Sequence, residues 1–117
     1  MTLQQDRTDV IGRLNDRCRL GLDRRARIVV TANCLAALEG TNLASRAFAQ
    51  VMLLVVARRH LFAEGDRERD RGTLDVLGTV VRFRIDYYDE ALEYGSEDPA
   101  DASRTTRVMT FLLPEDD

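Results

Sequence analysis

Four carboxylates are the side chains of this sequence that could most directly do chemistry. Glu68 and Asp70 lie in a charged segment, and Asp86 and Asp89 lie at the end of a strand-like run. Hard divalent cations bind several carboxylate oxygens at once, so at least three of these acids would have to converge. Acids at a strand exit more commonly cap turns or pair with arginine. We therefore expect no metal, no cofactor and no catalytic residue.

A larger set of acidic, aromatic and basic residues extends from the same run into the following loop. Asp86 and Tyr88 share the polar face of residues 79–88, because successive side chains alternate across a strand. The turn residues Gly95 and Pro99 must return the chain to the sheet, which folds the loop over the strand end. The predicted binding patch is Asp86, Tyr88, Asp89, Tyr94, Asp98, Asp101, Arg104 and Arg107.

A structural role for the same residues is the alternative interpretation. Arg104 and Arg107 follow the acidic loop directly and could clamp it through bidentate ion pairs with its carboxylates. Under that reading the residues only hold the loop against the sheet. The sequence leaves the choice between a binding surface and a structural clasp open.

The elements that position these residues follow from hydrophobic periodicity. The sequence predicts a helix over residues 3–20, short strands at 27–31 and 72–76, a long strand from Thr79, and a last strand over 105–113. Leu77 and Gly78 form a tight hairpin link, and residues 33–38 form a helical turn. We expect one domain over residues 1–117 with residues 1–7 frayed. The predicted class is α+β: two helices on a mostly antiparallel four-stranded sheet, in the order α-β-α-β-β-β.

The second predicted helix runs from an N-cap at Thr41 or Asn42 to about His60 and is apolar around most of its circumference. Such a helix is either the central buried helix of a domain or part of an oligomer interface. The side chains expected at a homodimer seam are Phe48, Val51, Met52 and Val55.

Composition limits the classes of function. The formal net charge of −3 divides into +5 for residues 1–84 and −8 for residues 85–117, and every basic residue apart from His60 is arginine. With a pI near 5.2 and no basic run with interleaved aromatics, direct nucleic-acid binding is not expected. The two cysteines lack metal or disulfide spacing, and no run is long enough to span a membrane. We expect a cytoplasmic protein with both thiols reduced.

Several motifs resemble the bacterial domain-of-unknown-function family 3768. They are Ile85-Asp-Tyr-Tyr-Asp89, Gly95-Ser-Glu-Asp-Pro-Ala-Asp101 and Thr105-Thr-Arg-Val108. The family is common on plasmids and integrative elements, and the resemblance brings no established activity. Members usually carry His between the two acids near residues 68 and 70, where this chain has Arg69, so any chemistry based on that His would be absent.

Together these observations favour a non-enzymatic interaction protein of bacterial mobile elements. The resemblance and the acidic C-terminal segment suggest an anti-defence protein, of the anti-restriction or anti-CRISPR type, because a carboxylate-rich face can imitate the phosphates of DNA. The expected partner is a protein. Two alternatives are a small metal-assisted hydrolase that uses Asp86 and Asp89, and a structural homodimer without a ligand.

Overall fold

The computed structural model describes residues 3–40 and 45–117. Within these residues the chain forms three α-helices, four β-strands and two short 3₁₀ turns, which confirms the predicted α+β class. In chain order the helices and strands are α1 (Leu3–Arg19), β1 (Arg27–Val30), α2 (Ala32–Glu39), α3 (Arg46–Arg58), β2 (Arg71–Val76), β3 (Thr79–Tyr88) and β4 (Thr106–Leu112).

The four strands form one sheet in the order β1-β4-β3-β2, with β1 parallel to β4 and the other pairs antiparallel. The hairpin between β2 and β3 turns at Leu77 and Gly78, whose φ angles of 53° and 82° are both positive. Two positive φ values are what a two-residue hairpin of type I′ requires. The Asp75 carboxylate accepts a hydrogen bond from the Gly78 amide and closes the turn.

All three helices contribute side chains to a core on one face of the sheet. On β3 the inward residues are Val81, Phe83 and Ile85, and on β4 they are Met109 and Phe111, as strand alternation requires. The helices pack on them with Cys18 of α1, Cys34 and Leu38 of α2, and Ala49, Leu53 and Ala57 of α3. The opposite face of β3 carries the partly exposed Arg82, Arg84, Asp86 and Tyr88.

The helices differ in detail from the sequence prediction. The predicted helical turn at residues 33–38 is part of α2, which the Thr31 hydroxyl caps by accepting a hydrogen bond from the Cys34 amide. The described part of the apolar helix begins at Arg46, after an N-cap at Ser45, and the predicted caps Thr41 and Asn42 lie outside the described residues. Residues 3–7 belong to α1. Over the described ranges, no helix has the length and apolarity needed to cross a membrane.

Candidate functional site

The turn that follows β3 is the most exposed part of the predicted binding patch. Asp89 organises it, because its carboxylate accepts a hydrogen bond from the Glu93 amide at 3.0 Å and its amide donates to the Tyr94 carbonyl at 2.8 Å. Leu92 has a φ of 60°, a backbone region that non-glycine residues rarely adopt. The Tyr94 side chain is 73% exposed. The turn therefore holds two large side chains in solvent with a defined backbone.

The rest of the loop is tied to the sheet by hydrogen bonds. The Ser96 amide donates to the Tyr87 carbonyl at 3.0 Å, and the Ser96 and Thr105 hydroxyls lie 2.7 Å apart. The Thr105 hydroxyl also donates to the Asp98 carbonyl at 2.9 Å. Asp101 caps the 3₁₀ turn of residues 102–104 by accepting from Ser103, and those bonds lower the pKa of its carboxyl. The loop is an ordered extension of the sheet.

Arginines pair with three of the six acids in residues 89–101. Arg104 contacts Glu97 at 3.2 Å, Arg7 contacts Asp98 at 2.8 Å, and Arg25 contacts Glu90 at 3.5 Å. These pairs are exposed, so each contributes little to stability, but they neutralise much of the negative charge that the sequence places here. Arg104 thus holds the loop in part, through a carboxylate outside the predicted Asp98–Asp101 set.

Arg107 is the residue of the predicted patch that the structure places elsewhere. Its side chain is 1% exposed and lies on the core face of β4, opposite Tyr87 of β3. It donates to the Pro99 carbonyl at 2.6 Å and to the Asn15 side-chain oxygen at 2.8 Å, and its guanidinium stacks 5.0 Å from the Tyr87 ring centre. The prediction that Arg107 clamps loop carboxylates is wrong, because the cation is buried and meets a backbone carbonyl. It cannot contact a partner.

The buried polar network around Arg107 connects α1 and the segment at Glu68 with β3, β4 and the loop. Asn15 of α1 donates to the Tyr87 hydroxyl at 2.8 Å and to the Glu68 carbonyl at 2.9 Å, and the Tyr87 hydroxyl donates to the Glu68 carboxylate at 2.6 Å. Burial and the Glu68 carboxylate raise the pKa of Tyr87, while burial lowers the pKa of Arg107. Every polar group in this set has a partner, so the network serves to join α1, β3, β4 and the loop.

A charged cluster continues from this network across α1. Arg69 donates through two nitrogens to the two oxygens of Asp16, at 2.9 and 3.0 Å. Asp16 also contacts Arg19, whose side chain is 9% exposed and lies over the Phe62 ring at 4.9 Å. A Cβ at Gly12 would overlap the Arg67 carbonyl oxygen, so the close approach of segment 67–69 to α1 requires glycine there.

The carboxylates considered for a metal site are dispersed. Asp86 accepts a hydrogen bond from Arg84 at 3.2 Å, Asp89 caps the turn, and Glu68 binds Tyr87. Burial and the nearby Glu68 raise the pKa of Asp70. No three His, Cys, Asp or Glu side chains converge as a metal site anywhere in residues 3–40 and 45–117.

Two concavities flank the turn. A groove of about 510 Å³ lies between Tyr94, Asp89 and the Glu97–Arg104 pair. On the other side of Glu90 a cavity of about 380 Å³ is lined by Arg24, Arg25, Ala26, Arg27, Leu92 and Thr106. The sequence alone does not indicate this second cavity, because residues 24–27 and 90–92 are distant in sequence. Its only signal was the three arginines within residues 24–27.

The fold and this region define an α+β protein in which an ordered loop with exposed aromatic and apolar side chains extends from one end of a sheet. A family model described as "Protein of unknown function (DUF3768)" matches residues 34–116. The chain belongs to this family, as the motifs of its C-terminal half indicated. No curated protein and no solved structure matches the chain in the corresponding searches.

Proposed function

We propose that this chain is an interaction protein without enzymatic activity, and that the turn and groove formed by residues 89–97 are its contact surface for a protein partner. The observation that carries the proposal is the ordered turn at Asp89, which exposes Leu92 and Tyr94 while hydrogen bonds from the amides of residues 89, 92 and 93 hold its backbone. In a flexible loop, these exposed side chains would not be held in one arrangement. We refer to Leu92 and Tyr94 as the turn pair.

The backbone of Leu92 supports this reading. A left-handed conformation costs a non-glycine residue about 1–2 kcal/mol, and such strain persists where surrounding structure enforces it, often at binding sites. Asn or Gly would occupy this position at lower cost, yet neither would present an apolar side chain. Tyrosine at an interface buries a large rigid ring with little entropy loss, which makes Tyr94 the expected energetic centre.

The charge around the turn indicates what kind of partner fits. The groove beside Tyr94 carries both signs, since Arg104 and Glu97 line it together. Pairing with Arg7, Arg25 and Arg104 reduces the number of free carboxylates on this surface. We therefore favour recognition through the turn pair, with charge setting the orientation. As the particular role we propose an anti-defence protein of bacterial mobile elements acting in the cytoplasm; its support is the family resemblance and the acidic C-terminal segment.

Affinity capture with matched variants tests this proposal. Full-length protein is immobilised and exposed to a lysate of the source cells, with Tyr94→Ala as the test variant and Leu61→Ala as the control. Leu61 is 89% exposed and lies outside the turn, so its truncation removes a comparable apolar group elsewhere. We expect a partner that Leu61→Ala retains and Tyr94→Ala loses, by roughly 30-fold in affinity for a hot-spot residue. Equal retention by both variants would reject the turn as the contact surface.

A second candidate is a homodimer through α3, because part of its apolar surface is uncovered. Ala49, Leu53 and Ala57 are buried, whereas Phe48 and Val51 are 45% and 55% exposed. Met52 and Val55, also predicted at a dimer seam, are partly buried within the monomer. Sedimentation of the wild type and of Val51→Asp distinguishes a dimer from a monomer. A wild-type dimer that Val51→Asp dissociates would support this candidate. A wild type that stays monomeric over a roughly 100-fold range of protein concentration would exclude it.

A further inference from the structure

We propose that the cavity between Arg24, Arg27 and Leu92 binds the phosphate group of a small organic phosphate monoester. The cavity lies where β1 begins, with Thr106 of the neighbouring strand β4 in its lining and Leu92 and Glu90 from the turn after β3. Its volume of about 380 Å³ lies at the small-ligand end of the range for binding pockets. This site adjoins the groove beside Tyr94 and shares Glu90 with it, but Arg24 and Arg27 line the cavity and not the groove. It adds a ligand to the proposed interaction protein.

Two of the arginines that line the cavity do not contribute polar contacts to the fold. The guanidinium groups of Arg24 and Arg27 form no hydrogen bond or ion pair with any of the residues that the structure describes. The planar guanidinium fork of arginine matches the geometry of carboxylate and phosphate groups and can donate two hydrogen bonds to them at once. Two unpaired forks that line one concavity therefore provide an unused binding site for an oxyanion.

The third arginine, Arg25, is held in place by the surrounding structure. Its guanidinium donates to the Ser103 carbonyl at 2.8 Å and to the Ala102 carbonyl at 3.3 Å, and it contacts the Glu90 carboxylate at 3.5 Å. Its amide donates to the Asp23 carboxylate at 3.0 Å. These contacts fix segment 23–27 beside the turn, so Arg24 and Arg27 flank the cavity from an anchored backbone. Glu90 offsets one positive charge and leaves the lining with a net charge of +2.

The composition of the lining selects a monoester over other anions. Arg24 and Arg27 can each donate two parallel hydrogen bonds, which matches a dianionic phosphate better than a single carboxylate. Leu92 and Ala26 provide apolar surface for the organic group that the phosphate carries. The cavity is a single open concavity and the chain is acidic overall, so a long polyanion such as DNA would meet repulsion beyond it.

The experiment uses the full chain with phenyl phosphate as the probe, followed by ¹H–¹⁵N NMR and calorimetry. The test variant is Arg24→Gln with Arg27→Gln, since neither side chain contributes a fold contact. Arg71→Gln is the control for the loss of one positive charge away from the cavity, because Arg71 is exposed on β2, at the opposite edge of the sheet. We expect saturable binding with shifts at the Arg27 and Thr106 amides, a loss of about tenfold or more in the double variant, and a change below about twofold in Arg71→Gln.

Two further measurements test the chemistry of the ligand. A phosphate monoester loses its second proton near pH 6 while arginine stays charged, so binding should be tighter at pH 7.5 than at pH 5. Inorganic phosphate and benzoate should each bind more weakly than phenyl phosphate, because the first lacks the ring and the second lacks the dianion. Equal binding of benzoate or inorganic phosphate would overturn the assignment to an organic phosphate.

Three other outcomes would also overturn the proposal: no saturable binding at millimolar probe, an equal loss in Arg71→Gln, or tighter binding of a DNA oligonucleotide that the double variant abolishes. Leu92 belongs to both surfaces, but Tyr94 lines only the groove, so Tyr94→Ala leaves the arginines and Leu92 of the cavity in place. Phosphate binding that survives Tyr94→Ala while partner capture is lost would separate the two sites. Failure of phosphate binding with intact partner capture would remove this inference alone.

Discussion

Replacing Arg107 tests whether the buried network holds the loop onto the sheet. The substitution Arg107→Met keeps the length and apolar stem of the side chain and removes the guanidinium. Two hydrogen bonds from a charged donor disappear, those to the Pro99 carbonyl and to the Asn15 side chain. The stacking of the cation on the Tyr87 ring disappears as well.

The change in the free energy of unfolding for Arg107→Met is the sum of opposing contributions. Hydrogen bonds to a charged group are worth about 1.5–3 kcal/mol each. The substitution leaves the Asn15 oxygen buried, and the Pro99 carbonyl partly buried, without this donor. Removing a cation that is 1% exposed recovers part of that loss, because the buried charge no longer has to be desolvated. We expect a net loss of about 3 kcal/mol in the free energy of unfolding. This is a large part of the 5–15 kcal/mol typical of a domain.

Urea unfolding followed by far-UV circular dichroism measures this loss. With a slope of about 1.5–2 kcal/mol/M, the midpoint should fall by roughly 1.5–2 M. Arg107→Lys should lose at least as much, because one buried ammonium cannot reach both acceptors as the fork does. Hydrogen exchange should accelerate first at the Ser96 and Asp101 amides, which the loop bonds protect.

Arg104→Met is the matched control. Arg104 is the same residue type three positions away, and it forms one exposed ion pair with Glu97. Its removal should cost no more than about 0.5 kcal/mol. A loss below about 1 kcal/mol for Arg107→Met, or equal losses for the two variants, would refute the reasoning that the buried guanidinium holds the loop.

Two other predictions concern the segment that packs on α1 and the carboxylate that follows it. Gly12→Ala should destabilise the protein by about 2 kcal/mol or more in the same urea assay, because the new methyl group overlaps the Arg67 carbonyl. This loss should exceed the gain from alanine's higher helix propensity. The control is Gly65→Ala, whose methyl group meets no atom within 4 Å and should change stability by less than about 0.5 kcal/mol. Asp70 has a raised pKa in the folded state, so its contribution is most favourable at low pH and is lost as pH rises through the folded-state pKa. Asp70→Asn should therefore be more stable than the wild type at pH 7, with the difference vanishing below about pH 3, and a constant difference at all pH values would contradict this assignment.

Local sequence determined most of the elements of this fold. The strict alternation in β3 follows from the period of a pleated strand and specified which side chains enter the core before any contact was known. The hairpin at Leu77 and Gly78 was likewise predictable, because two residues between strand-like runs require positive φ angles that glycine readily adopts. These features depend on a few neighbouring residues. Helix α2 was underestimated because it is only eight residues long and carries few charged residues.

Only the tertiary structure decided the roles of the arginines. Arg104 and Arg107 lie three positions apart, yet one is exposed beside Glu97 and the other is buried against Tyr87. A signal for the difference was present, since Arg107 alternates in phase with the core residues Met109 and Phe111. The sequence could not reveal what meets that position from the other side. Asn15 of α1 lies 92 residues away, and only folding brings its side-chain oxygen to the guanidinium.

The candidate sites also combine features that local sequence determined with features that only the tertiary structure decided. The sequence by itself determined that acids, tyrosines and turn residues are concentrated after β3, because composition and alternation are local properties. The tertiary structure decided that Tyr94 is exposed, that several acids are paired, and that residues 24–27 form a cavity with Leu92. The physical reason is that burial and ion pairing depend on distances between segments remote in sequence. Those distances are set when the whole chain folds and remote segments are brought together, so a local sequence pattern does not contain them.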